Sequence, residues 1–230
     1  MGKILVLLPL ALGMVPAAAG AADGAPSPEM VLEWLRYGNQ RHAEGKPVHW
    51  HQSVARRREV AKTQPAQAVV IACSESTTPP EILFDQGLGD LYVLRAPGNV
   101  VGEREIAAVE MAVERHGVRV VVVLGHQGCS VVGHAVRGAM GPGHIGTLVA
   151  PMAAPVARVK GQPGDVLERA IHANVEAGVA ALAASDPILA PLAGGGRLRV
   201  VGAYYDGESG RVGWMTPPAH RTTLSSGLPH

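Results

Sequence analysis

Cys73 and Cys129 are the only cysteines in the 230-residue chain, and His126 stands three residues before the second. Two thiolate sulfurs and an imidazole nitrogen make a borderline-soft donor set. Such a set suits Zn²⁺, and three protein ligands leave a fourth position open for water or a substrate. An isolated His-x-x-Cys is a weak signal on its own. Two cysteines in an exported chain can also pair as a disulfide. On residue types alone, a metal site and a disulfide both stay open.

The elements around these residues favour convergence. Ala68-Val69-Val70-Ile71-Ala72 is a continuous apolar run that ends directly before Cys73. Such a run fits a strand buried on both faces, as in a parallel sheet. Arg119-Val120-Val121-Val122-Val123-Leu124 is a second run, rich in β-branched residues, and His126 follows it by two residues. Ligands of open parallel sheets sit beyond the carboxyl ends of the strands. If these two strands are neighbours, Cys73, His126 and Cys129 meet there.

The rest of the chain alternates in the same way. Ser27 and Pro28 open a helix running to about His42, and a wet helix is expected near Arg56-Arg57-Arg58-Glu59. Leu91 to Leu94 reads as a strand, and Glu103 to His116 as a helix closed by Gly117. A helix is expected after Cys129, a glycine-rich loop over Gly138 to Gly146, and an Asp-capped helix over Asp165 to Ala184. Leu198 to Tyr204 and Val212 to Met215 read as final strands joined by a turn. Strands alternating with helices predict an α/β domain with a mostly parallel central sheet flanked by helices.

Met1-Gly2-Lys3, the apolar stretch Ile4 to Val15 and the small residues up to Ala22 read as an export signal over residues 1–22. The apolar stretch is short for a membrane span, with an uncleaved anchor as the alternative. One domain is expected over 23–217 and a disordered tail over 218–230. The expected location is periplasmic or secreted, with no membrane attachment after cleavage. A net charge of +1 gives no broad attraction to nucleic acid.

The residues around the donors narrow the chemistry. Cys73-Ser74-Glu75-Ser76-Thr77-Thr78-Pro79-Pro80-Glu81-Ile82, then Phe84-Asp85-Gln86-Gly87-Leu88-Gly89-Asp90-Leu91, resembles the β-class carbonic anhydrases. Arg95-Ala96-Pro97-Gly98-Asn99-Val100, Gly125-His126-Gln127-Gly128-Cys129 and Val201-Gly202-Ala203-Tyr204-Tyr205-Asp206 extend the resemblance from about Val31 to Trp214. It implies zinc on Cys73, His126 and Cys129, and reversible hydration of carbon dioxide to bicarbonate by a zinc-bound hydroxide. It also implies a homodimer or higher homo-oligomer, with N-terminal helices extending along the partner. Gln64 matches a glutamine that lines the pocket in some members, often from across the dimer interface.

The chain departs from the family where the resemblance places catalysis. The family motif after the first cysteine is Cys-x-Asp-Ser-Arg, whose Asp orients or deprotonates the water and whose Arg holds that Asp off the metal. Here Glu75 and Thr77 take those places, Ser76 is retained, and Ser130 stands where the family usually has glycine. Glu75 is therefore expected both as the catalytic carboxylate and as a fourth metal ligand. With no guanidinium at 77, a bias toward the closed site is expected unless another residue, such as Arg95, substitutes. Reduced activity, or an inactive zinc-binding protein with a binding or structural role, is the corresponding expectation.

Overall fold

The computed structural model describes residues 25–215. The proposed signal segment and tail lie outside the described residues. In chain order the helices are α1 (Pro28–Ala43), α2 (Val54–Val60), α3 (Pro80–Leu83), α4 (Glu103–His116), α5 (Ser130–Val136), α6 (Ile145–Val149), α7 (Ala153–Val159), α8 (Val166–Ala183) and α9 (Leu189–Gly194). The strands are β1 (Ala68–Ala72), β2 (Leu91–Arg95), β3 (Val120–His126), β4 (Arg199–Tyr205) and β5 (Val212–Met215). They form one sheet in the order β2-β1-β3-β4-β5. The first four are parallel, and β5 runs antiparallel beside β4.

Every residue of β1 and of β3 is buried. The period of two along a strand splits them between two cores. Val70, Ala72, Val122 and Leu124 pack with Val31, Leu32 and Leu35 of α1 and with Phe84. Val69, Ile71, Val121 and Val123 pack with Val109 of α4 and with Val175, Val179 and Leu182 of α8. Both faces being covered explains why the strands read as unbroken apolar runs rather than alternating ones. At Gly125 a Cβ would meet Val175 Cγ2 at 2.7 Å and Ile171 Cγ2 at 2.9 Å, so glycine here lets α8 lie close to the sheet.

Local signals set most boundaries. Ser27 Oγ accepts from the Met30 N–H, Ser53 Oγ from the Arg56 N–H, and Asp165 Oδ1 from Leu167 and Glu168. Gly117 ends α4 in the left-handed conformation at φ 67°. One boundary differs from the sequence reading: β3 runs on through Gly125 and His126, paired with Tyr204 and Tyr205 of β4. His126 is thus the last residue of the strand rather than a loop residue after it, because β4 supplies backbone partners out to that point. The glycine-rich stretch after α5 does form turns, but α6 begins inside it at Ile145.

Candidate metal centre

Parallel register carries the donors together. Ala72 of β1 is level with Leu124 of β3, so Cys73 comes level with Gly125 and His126 follows one residue on, both at the carboxyl end of the sheet. Gln127-Gly128 then turns the chain, with Gly128 at φ 71°, a conformation that glycine adopts without strain. That turn returns Cys129 to the same point. The ligating atoms of Cys73, Glu75, His126 and Cys129 all lie within 4.8 Å of one another. The sulfurs are free thiols, both buried, so the disulfide alternative is not what the fold adopts.

The histidine is prepared for a metal. Its Nδ1 lies 2.9 Å from the Gln127 carbonyl, which can only accept, so Nδ1 carries the proton. That leaves a lone pair on Nε2, which is buried and has no hydrogen-bond partner. An orphaned acceptor between two sulfurs and a carboxylate fits a metal cation, and the donor set fits zinc. Cys73 Sγ also accepts from the Gly98 N–H at 3.2 Å, and Asn174 Nδ2 donates to the Gly98 carbonyl at 2.8 Å, fixing that donor. Gly98 holds φ 68°, and a Cβ there would meet Met152 Cε at 2.5 Å.

The charge distribution points the same way. A hydrogen bond from the Cys129 thiol, offset by burial and reinforced by His126, holds Cys73 far below the usual thiol range. The same bond, with burial, pushes Cys129 well above it. Burial opposes charge on His126, but the neighbouring Cys73 thiolate outweighs it and raises the imidazole. Negative charge is thus favoured on Cys73 among the three donors.

Glu75 sits at the open side, about one-third exposed. Its Oε1 accepts from the Ser130 N–H at 2.8 Å and from Ser130 Oγ at 2.7 Å. Its Oε2 faces His126 Nε2 at 3.9 Å. Arg95 does not reach this carboxylate. Its Nε donates to the Cys73 carbonyl at 2.6 Å and its Nη2 to the Glu75 carbonyl at 2.5 Å. Thr78 Oγ1 donates to the same two carbonyls, so the backbone beneath Glu75 is held from two sides. Thr77 is exposed and lines a cavity of about 460 Å³ with His126, Gln127, Tyr205 and Gly207. Gln64 is exposed and does not line this cavity. Sequence reasoning noted Ser130 only as a departure from glycine and assigned nothing to Asn174. Neither contact has a local signal, since the partners are 55 and 76 residues apart.

Comparison with known proteins agrees with this geometry. The carbonic anhydrase family model matches residues 68–212. The chain belongs to the β-class carbonic anhydrase family. It is 33% identical to carbonic anhydrase 2 of Mycobacterium tuberculosis over 193 residues, covering 81% of this chain and 93% of that protein. Among solved structures it is similar to the β-carbonic anhydrase CafA of Aspergillus fumigatus (TM-score 0.63, 25% identity, 83% of this chain and 89% of that one). It also shares the fold of a tetrameric β-carbonic anhydrase from Sordaria macrospora (TM-score 0.64, 24% identity, 81% and 95%). β-Class carbonic anhydrases use zinc, and Cys73, Glu75, His126 and Cys129 are the residues here that can hold it.

Proposed function

We propose that this β-class carbonic anhydrase catalyses the reversible hydration of carbon dioxide to bicarbonate, with zinc held by Cys73, His126 and Cys129. The observation that carries this reading is the buried, unpartnered Nε2 of His126 facing both thiols and Glu75. Zinc in such a site lowers the pKa of water toward neutrality and so supplies a nucleophile. The chain's own residues do the rest. His126 is held in one tautomer by the Gln127 carbonyl, and Gly98 supports the Cys73 thiolate. Glu75 is placed to accept a proton beside the fourth position, or to take that position itself. The cavity beside Thr77 and Tyr205 is the route by which a small neutral substrate arrives.

Two features support a lowered rate. Glu75 is one methylene longer than the family aspartate, and catalytic placement is sensitive to about 1 Å. Arg95 is committed to backbone carbonyls of the loop and makes no ion pair with the carboxylate. The same two features support the second reading, a zinc-binding relative without hydration activity and with a binding or structural role.

Gln64 is assigned to the pocket of a partner subunit in a homodimer or higher homo-oligomer. Pro65, its chain neighbour, lines a groove of about 650 Å³ with Trp34, Tyr37 and Trp50, three exposed aromatics on or near α1. Large exposed apolar side chains in one patch mark an interaction surface. Export to the periplasm or outside the cell rests on the N-terminal residues 1–22, and among the described residues no helix is long and apolar enough to cross a membrane.

Stopped-flow hydration of carbon dioxide by zinc-loaded protein tests the reading. A saturable rate that disappears on metal removal is expected. No rate above buffer at any pH between mildly acid and alkaline would favour the inactive relative.

A further inference from the structure

We propose that Ser130 is a positioning residue that takes over the work of the missing arginine by clamping Glu75 beside the metal position rather than on it. The inference rests on the zinc reading above. Three observations carry it.

The first is the pair of hydrogen bonds to one oxygen. Ser130 N–H and Oγ reach Glu75 Oε1 at 2.8 and 2.7 Å, both strong charge-assisted distances. A guanidinium at 77 would have offered two donors from one side chain. Ser130 offers two from one residue, and a glycine there would offer only one. The second is the placement of the other oxygen. Oε2 stands 3.9 Å from His126 Nε2, so the second oxygen faces the donors while the first is held by Ser130. A water held at the fourth position would find its acceptor there. The third is the backbone. Arg95 and Thr78 fix the carbonyls of Cys73 and Glu75, so the loop backbone is held and the position of the carboxylate is set by its side chain and Ser130. The glutamate's extra methylene and the serine hydroxyl are therefore matched. The longer side chain carries its carboxylate across to Ser130, and Thr77 is left out of the arrangement.

Azide binding to the cobalt(II)-loaded protein, followed by its visible spectrum, tests this independently of turnover. Azide needs the fourth position open, so its affinity reads how strongly Glu75 competes for it. In Ser130→Ala, with cobalt content unchanged, azide should bind at least about tenfold more weakly, because loss of a charge-assisted hydrogen bond frees the carboxylate. Ser130→Thr, which keeps a hydroxyl, should restore wild-type affinity. Adding Glu75→Gln to Ser130→Ala should also restore it by removing the competitor. Unchanged azide affinity in Ser130→Ala would overturn the proposal. Tighter binding would overturn it too, by showing that Ser130 directs Glu75 onto the metal. Wild-type protein that takes up no cobalt would refute the metal centre itself. Protein that binds cobalt and azide as described but hydrates no carbon dioxide would refute the functional reading alone.

Discussion

The two sides of the metal centre are built by different means. On the ligand side, Cys73, His126 and Cys129 are placed by backbone: two neighbouring parallel strands in register and one glycine turn. All three are buried, and Gly98, Asn174 and the Gln127 carbonyl support them. On the carboxylate side, Glu75, Thr77 and Ser130 are partly or fully exposed; hydrogen bonds from Ser130 hold Glu75 across a loop, and Thr77 joins neither. The first side carries the ligands that the sequence resemblance implies, whereas Glu75 and Thr77 on the second differ from the Asp and Arg it implies. The difference separates metal binding from metal use, and variants on each side should separate the same two properties.

The largest effect is expected on the ligand side. Cys129→Ser should lose stoichiometric zinc and all hydration activity, measured by metal analysis after dialysis, because removing a thiolate from a four-coordinate site removes much of its affinity. Retained zinc would break the distinction at its root. Next comes Glu75→Gln, which should keep zinc yet lose hydration rate by about 10²-fold, the scale of a proton acceptor's contribution. A smaller effect is expected from Thr77→Arg. It should raise the hydration rate several-fold with unchanged zinc content by adding a second hold on Glu75. A fall in rate would show that Ser130 and an arginine cannot share this carboxylate.

A control whose hydrogen-bond partners belong to neither side should leave zinc and turnover unchanged. Asp85 is 3% exposed, accepts from the Val48 and His49 N–H groups, and pairs with Arg41 at 2.6 Å. Burial raises its carboxyl, but the Val48 N–H, Arg41 and the His49 N–H outweigh that and leave it below its ordinary value. A lowered folded-state pKa stabilises at pH above the unfolded value of about 3.9 and is lost as pH falls through the folded value. Asp85→Asn should therefore cost about 2 kcal/mol in urea unfolding at pH 7, a difference that shrinks toward pH 3.

The same contrast governs what the sequence disclosed. β1 and β3 were legible because burial on both faces writes unbroken runs of Val and Ile, and α4 because Gly117 marks its end. The three donors followed, since strand ends place residues by counting. The helices α6, α7 and α9 were not legible: Gly146, Pro155, Pro191 and many alanines give weak periodicity, and packing on α8 decides α7 and α9 while α6 rests on α5. The extension of β3 through His126 depended on β4, some 80 residues away. Ser130 was visible only as a departure, because its contact with Glu75 exists only once β1 and β3 are side by side. A short polar side chain carries no sign of the partner it will meet across such a distance.

The central claim is that Cys73, His126 and Cys129 together hold zinc at the carboxyl end of this sheet. X-ray absorption at the zinc edge of the loaded protein tests it most directly. Two sulfur scatterers at about 2.3 Å and two light-atom ligands at about 2.0–2.2 Å are expected. Loss of one sulfur in Cys73→Ser or Cys129→Ser, if residual metal remains, would fit the same site. A wild-type spectrum with no sulfur scatterer, or one unchanged by either substitution, would contradict it.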